Sequence, residues 1–382
     1  MQEIELKCRF SPAQLPALRQ ALDDWARAQG QPGPQTQRLQ AAYVDTPGRA
    51  LAAARAALRL RREPAGWVQT LKALGPTTLQ RLEHNAPVPG AAGKAEALPP
   101  LRLDRHAGTP AAAALAAALG LSPADFDLRA ARGDTLDLAP TFETDITRLC
   151  LAWTPPDAPA GTCIELALDE GEVRAGSHRE PLLELEFELL AGPVSALVEA
   201  VVQACAPFGL WLDTRSKAER GERLSRGLGL PAPQAVPLPQ WRSGGPDPTD
   251  ADALAAGGHA ALRQAVRQVL NPLLGLHSLV ADPLAAAPGG GLLPAHVRHW
   301  HRGLGALHQA LAQAAEPALL GWNLPPAPGL DPAWAEALMA QLGPLDAMAP
   351  DSAQAAQAAG RVARSPALQA PLLRTLGWLA TG

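Results

Sequence analysis

The sequence predicts an α+β protein: antiparallel strands with helices outside them, followed by a separate all-α region. Three observations carry this. Charged and apolar residues alternate in six short stretches, the period-two pattern of a strand with one apolar face. Between them lie segments with helical apolar spacing, in no regular strand–helix–strand alternation. A Pro/Gly-rich stretch from Pro231 to Gly258 then precedes text that reads as helices throughout.

The first alternating stretch is Met1-Gln2-Glu3-Ile4-Glu5-Leu6-Lys7-Cys8-Arg9-Phe10. Glu3, Glu5 and Lys7 share one face, with Ile4, Leu6 and Cys8 on the other. Ser11 and Pro12 open a helix on which Leu15, Leu18, Leu22 and Trp25 keep helical spacing. Leu58-Arg59-Leu60-Arg61 puts two arginines on one strand face, and Trp67 to Lys72 puts Thr70 and Lys72 together. Gln80-Arg81-Leu82-Glu83 pairs Arg81 with Glu83. Thr109-Pro110 and Ser122-Pro123 start two further helices. Cys163 to Asp169 sets Glu165 and Asp169 on one face, and Leu183 to Leu189 sets Glu184, Glu186 and Glu188 on one face. Val194 to Phe208 reads as a helix outside the sheet. Taken singly, each charged face has a plain alternative, a solvated or edge strand. Like charges opposed across strands destabilise a sheet, so acid-bearing strands beside basic ones point to complementation. A closed barrel would turn all these faces to one lumen.

The chemistry such a lumen offers is that of phosphate and a hard cation. Mg²⁺ takes oxygen ligands from one or two carboxylates together with substrate phosphates. Arginine grips phosphate through paired hydrogen bonds and lysine as a point charge. Only four of the 33 basic residues are lysines, and Lys7, Lys72 and Lys217 fall in the motif-like stretches; Lys94 is the fourth. No phosphate-cradling Gly-rich loop, HExxH pair or Ser-His-Asp arrangement is visible.

In this order the stretches resemble the CYTH superfamily of triphosphate tunnel metalloenzymes. Glu3, Glu5 and Lys7 are similar to its ExExK signature. Tyr43-Val44-Asp45-Thr46-Pro47, Arg59 and Arg61, Lys72, Arg81 and Glu83 follow, then Ile164 to Val173, Glu184 to Glu188, and Ser216-Lys217-Ala218-Glu219-Arg220-Gly221. The likeness is to bacterial inorganic triphosphatases, in which this module precedes a helical CHAD domain. It implies an eight-stranded antiparallel β-barrel tunnel with outer helices over residues 1–227, a linker over 228–258 and a helical, shortened or degenerate CHAD-like domain over 259–382. It implies metal-dependent hydrolysis of inorganic triphosphate, or short polyphosphate, to diphosphate and phosphate. Lys7, Glu5 and Glu186 would be catalytic. Lys7, Arg59, Arg61, Lys72, Arg81, Arg148, Lys217 and Arg220 would bind substrate. Glu3, Glu5, Asp169, Glu184, Glu186 and Glu188 would hold Mg²⁺ or Mn²⁺. Thiamine-triphosphatase or class IV adenylate cyclase activity, or non-catalytic polyphosphate binding, are the alternatives.

Size and charge bound these readings. A chain of 382 residues with 47% hydrophobic residues suits two domains. The net charge of −4 gives no general pull on nucleic acid or membrane. Cys8, Cys150, Cys163 and Cys205 lack CxxC spacing and read as reduced thiols. Ala111 to Leu121 is too short to span a bilayer, and with no apparent signal peptide a cytoplasmic location is expected. In the C-terminal region Ala261 to Leu276, His296 to Ala314, Trp334 to Leu342 and Ala353 to Val362 have helical spacing. Residues 251–382 hold seven arginines against seven acids, a formal balance of zero. His296, His299 and His301 lack a matching carboxylate or cysteine and read as solvated or capping histidines rather than metal ligands.

Overall fold

The computed structural model describes residues 2–75, 79–89, 98–239, 251–287, 289–320, 324–346 and 353–381. Lys94 and the middle of the expected linker, residues 240–250, lie outside them. The chain divides into two compact units: residues 1–192 with 215–228, and residues 193–214 with 229–382.

The first unit is a closed antiparallel β-barrel. Its strands are β1 (Gln2–Arg9), β2 (Gln35–Asp45), β3 (Ala57–Glu63), β4 (Gly66–Leu74), β5 (Gln80–Pro87), β6 (Ala139–Trp153), β7 (Cys163–Ala175) and β8 (His178–Ala191). They lie in the order β5-β4-β3-β2-β6-β7-β8-β1, and pairing of β1 with β5 closes the ring. Closure leaves no unpaired edge and commits every strand to one inward face.

Alternation then sorts the residues. Leu58, Leu60 and Leu71 point outward and are fully buried under Leu51, Ala111, Leu115 and Phe126. Those four come from the helices α2 (Ala50–Ala53), α3 (Pro110–Ala118) and α4 (Pro123–Ala131). Helix α1 (Leu15–Ala28) buries Leu18 and Leu22 and stacks Trp25 on Trp153 at 4.9 Å. The charged residues between these apolar ones face inward.

The second unit contains α5 (Val194–Phe208), the short strand β9 (Trp211–Leu212) and the C-terminal helices. Helix α6 (Lys217–Ser225) returns to the barrel unit. The C-terminal helices are α7 (Ala251–Val280), α8 (Pro283–Ala286), α9 (Pro294–Ala315), α10 (Ala333–Asp346), α11 (Ala353–Ala363) and α12 (Pro366–Ala380). Helix α7 starts ahead of the Gly257-Gly258 pair, which reads as linker text. Gly258 lies within the helix, where an added Cβ would fall 2.2 Å from a Leu324 methyl, so close packing outweighs the helix cost of glycine. Helix α5 is joined to α12 by a bidentate Arg374–Glu199 pair at 2.8 and 2.9 Å. Gln369 accepts from the Leu212 N–H at 2.9 Å. His296 is buried and accepts from the Leu293 N–H at 2.9 Å, a capping role. Among the described residues, no single helix is long and apolar enough to cross a membrane.

Gly171 tests the barrel packing. An added Cβ would meet the Asp145 carbonyl oxygen at 2.1 Å and the Ile146 Cα at 2.8 Å. Gly171→Ala should destabilise the protein by about 2 kcal/mol or more. Gly48→Ala, with nothing within 4 Å of its added Cβ, should cost less than about 0.5 kcal/mol. Urea unfolding of both variants checks the contrast.

Candidate active site

The inward faces bring together residues from every strand except β2 as an ordered set of charges. Strand register lines them up in rows. Arg9 of β1 opposes Glu184 of β8, which opposes Asp169 of β7, which opposes Arg148 of β6. One step along, Lys7 opposes Glu186. One step further, Glu5 opposes Glu188 and Glu188 opposes Glu165, a row of three carboxyls. Glu3 opposes Arg81, and Lys72 opposes Glu83.

The deeper set is neutralised internally. Helix α6 is fixed by a capping box, in which the Ser216 hydroxyl accepts from the Glu219 N–H and Glu219 accepts from the Ser216 N–H. Its first residue is Lys217. The Lys217 Nζ lies 2.9 Å from Asp169, 2.8 Å from Glu184 and 2.6 Å from Glu186. Arg148 donates two hydrogen bonds to Asp169, at 2.6 and 2.7 Å, and one to Glu186 at 2.6 Å. Arg220 donates to Glu184 at 2.8 Å and to Glu180 at 2.7 Å. Lys7 lies 3.9 Å from Glu184 and donates to the Arg215 carbonyl. Burial pushes the Glu184 carboxyl up, but Lys217, Lys7 and Arg220 outweigh it and hold the group at about 2. Glu186 is likewise buried, yet Lys217 and Arg148 hold it well below the usual carboxylate range.

The outer set is not balanced. Among the described residues, five carboxyls, Glu3, Glu5, Glu83, Glu165 and Glu188, face three cations: Lys72, Arg81 and, acting on Glu83 from farther off, Arg59. Lys72 pairs with Glu3 at 3.3 Å and also with Glu83, and Arg81 pairs with Glu5 at 3.2 Å. Asn85 donates to Glu83 at 2.8 Å. Burial and the crowding of Glu83 and Glu188 raise the Glu3 carboxyl to about 8 despite Lys72. Burial and the neighbouring Glu165 raise Glu188 to about 7.

Side-chain exposure falls from 29% and 24% at Lys72 and Arg81 to 2% at Arg220 and none at Glu184. Beyond the deep set the lumen becomes apolar: Tyr43, Phe142, Ile146, Val173 and Leu182 pack there with Ala218 and Leu224 of α6. Gly221 lets α6 seat, since an added Cβ would fall 2.1 Å from the Phe142 ring. Arg61 is committed to Glu63 at 2.7 Å. Arg59 donates to the Tyr43 hydroxyl at 3.1 Å.

The structure therefore gathers all the expected site residues around one lumen, in two groups rather than one. Asp169, Glu184 and Glu186 offer oxygens within 4.8 Å of one another, close enough to share a metal ion. An ammonium, Lys217, already sits among them. The outer carboxyls, short of positive charge, suit a hard divalent cation better. Sequence reasoning assigned no site role to Glu83, Glu165 or Tyr43. The first two were legible, because Glu83 shares a strand face with Arg81 and Glu165 shares one with Asp169.

Residues 1–221 match the family described as CYTH domain. An inorganic triphosphatase of Haemophilus influenzae is 30% identical over 224 residues, covering 58% of this chain and 54% of that protein. The chain thus spans about half the length of that relative. Among solved structures, a Hippeastrum protein with a dominant triphosphatase activity is 17% identical, with a TM-score of 0.37 over 60% of this chain and 98% of that one. A candidate adenylate cyclase of Bacillus halodurans is 16% identical, with a TM-score of 0.32 over 53% and 88%.

The raised carboxyls set the pH dependence. A carboxyl whose folded pKa lies above its unfolded value of about 4.5 binds more protons in the folded state, so its contribution falls as pH rises through the folded pKa. The buried His106 and His277, lowered to about 3 and 4 chiefly by burial, act in the opposite sense, but only below about 6.5. In EDTA the Tm should therefore fall between pH 6.5 and about 8.5, as Glu188 and then Glu3 ionise. Added Mg²⁺ should raise the Tm more at the upper end than at the lower. Circular-dichroism melts across that range check this, and a flat profile would contradict the crowding.

Proposed function

Because the chain belongs to the CYTH domain family, we propose that it hydrolyses inorganic triphosphate to diphosphate and phosphate inside the barrel. The observation that carries the reading is the charge pattern of the lumen: cations from five strands and α6 facing inward, with a carboxyl surplus at its more exposed end. Pure anion binding would not want that surplus. A divalent metal ion, Mg²⁺ or Mn²⁺, fits it, and Glu3, Glu5 and Glu188 would hold the ion with Glu83 and Glu165 beside them. Bound there, it would neutralise phosphate charge and lower the pKa of a nearby water. Asp169, Glu184 and Glu186 would offer a second place only if Lys217 withdrew.

The protein side chains do the positioning. Arg59, Arg148 and Lys217 bind and orient phosphoryl oxygens in a part of the lumen screened from water, where each interaction is worth more than at a surface. Lys7 is tied to the Arg215 carbonyl and lies near Glu184, so its ammonium is fixed in place for developing charge. Phosphoryl transfer needs little beyond such placement and charge stabilisation.

Inorganic substrate is favoured over a nucleotide or thiamine triphosphate because, among the described residues, the lumen rings Tyr43 and Phe142 are buried and engaged with each other. Tyr43 and Phe142 stack on each other at 4.4 Å, and Trp25 and Trp153 stack between α1 and β6.

Phosphate release from tripolyphosphate, ATP and thiamine triphosphate, with Mg²⁺ and in excess EDTA, tests the reading. Turnover of tripolyphosphate should lead and should vanish in EDTA; full activity in EDTA would refute the metal requirement. Glu5→Gln should lower kcat by about a hundredfold, on the scale of one preorganised electrostatic group. Arg59→Ala should raise KM more than Arg61→Ala, because Arg61 already spends its charge on Glu63. Steady-state kinetics of the two variants decides it.

A further inference from the structure

Arg59 stands apart from the other cations expected to bind substrate, each of which lies within 4.0 Å of a carboxylate. Among the described residues Arg59 has no ion pair, although it is only 9% exposed. Its one hydrogen bond runs from Nη1 to the Tyr43 hydroxyl at 3.1 Å, and its Nε is buried without a partner. Glu83, the carboxylate it feels most, is engaged by Lys72 and Asn85. A buried guanidinium with no ion pair of its own and an unpartnered Nε–H is costly, so the place suits an anion that arrives.

Tyr43 is in the same condition. An arginine only donates, so the phenol oxygen is the acceptor in that bond. Its own proton then has no acceptor among the described residues, and the side chain is 5% exposed. The ring cannot easily turn away. It stacks on Phe142 at 4.4 Å and 18°, and Phe142 is pressed by α6 at Gly221. Two unsatisfied donors thus lie side by side where the charged lumen meets its apolar end.

We propose that Tyr43 is a phosphate-binding residue: its hydroxyl accepts from Arg59 and donates to a phosphoryl group that the Arg59 Nε–H also grips. The ligand class rests on the triphosphatase reading above. Ile146, Val173 and Leu182 pack with Ala218 beyond this seat, so the group held here is an unsubstituted chain end, and the rest of the substrate extends toward the outer carboxyls.

Calorimetric titration with tripolyphosphate tests the assignment. Tyr43→Phe keeps the ring stack but removes the acceptor of the one hydrogen bond of Arg59, so the Tm should fall by a few degrees while the protein stays folded. Affinity should fall about tenfold, the value of one hydrogen bond to a charged group. In an Arg59→Gln background the same change should cost less than about twofold, because the two act as a unit. Affinity within twofold of wild type, or an equal loss in both backgrounds, would overturn the proposal. The chain has one tyrosine, so biosynthetic 3-fluorotyrosine gives a single ¹⁹F resonance in the intact protein. It should move on saturation with tripolyphosphate; a stationary line would overturn the contact. Neither measurement reads turnover. A protein that binds tripolyphosphate through Tyr43 but releases no phosphate would sink the hydrolase reading alone.

Discussion

Everything in the barrel depends on Lys217 lying among three carboxylates. Asp169 and Glu184 have fully buried side chains, and Glu186 is mostly buried. Carboxylates taken from water at such a place are sustained only by close opposite charge. Lys217 supplies it from the first turn of α6, whose positive helix end adds to the effect. Ser216 and Glu219 cap that turn, and Gly221 lets the helix settle on Phe142. A change anywhere along this line of contacts would be felt as unpaired charge in the lumen.

The same balance divides the lumen by charge. In the deep part Asp169, Glu184 and Glu186 are each paired with Lys217, and Arg148 and Arg220 complete the network. The outer part carries more negative charge than its cations offset, and Glu3 and Glu188 respond by holding their protons near neutral pH. Arg59 is the converse, a buried positive charge whose hydrogen-bond partner is a phenol. A divalent cation at one place and a polyanion at the other would relieve both conditions together, which is why their binding should be mutually supporting.

Much of this was legible in the alternation of residues. Glu184, Glu186 and Glu188 must share a face if they lie on a strand, and Arg59 and Arg61 likewise. The closed barrel and the helical C-terminal region agree with the α+β expectation. The partition of the acids into a neutralised and an unneutralised group was not legible. Glu186 and Glu188 are two residues apart and chemically identical, yet one lies well below the usual carboxylate range and the other is raised to about 7. Nor did the text of α5 foretell that it would pack with α12 through Glu199 and Arg374. Its apolar spacing names a buried face and leaves the partner open.

The sequence by itself determined which side chains face inward, because a strand's period of two admits no other sorting once its outer face is apolar. Only the tertiary structure decided which charge meets which. Lys217 lies 31 residues from Glu186 and Lys72 lies 69 from Glu3. Such pairs are set by strand register and barrel closure, geometric properties of the whole ring that no local stretch of sequence encodes.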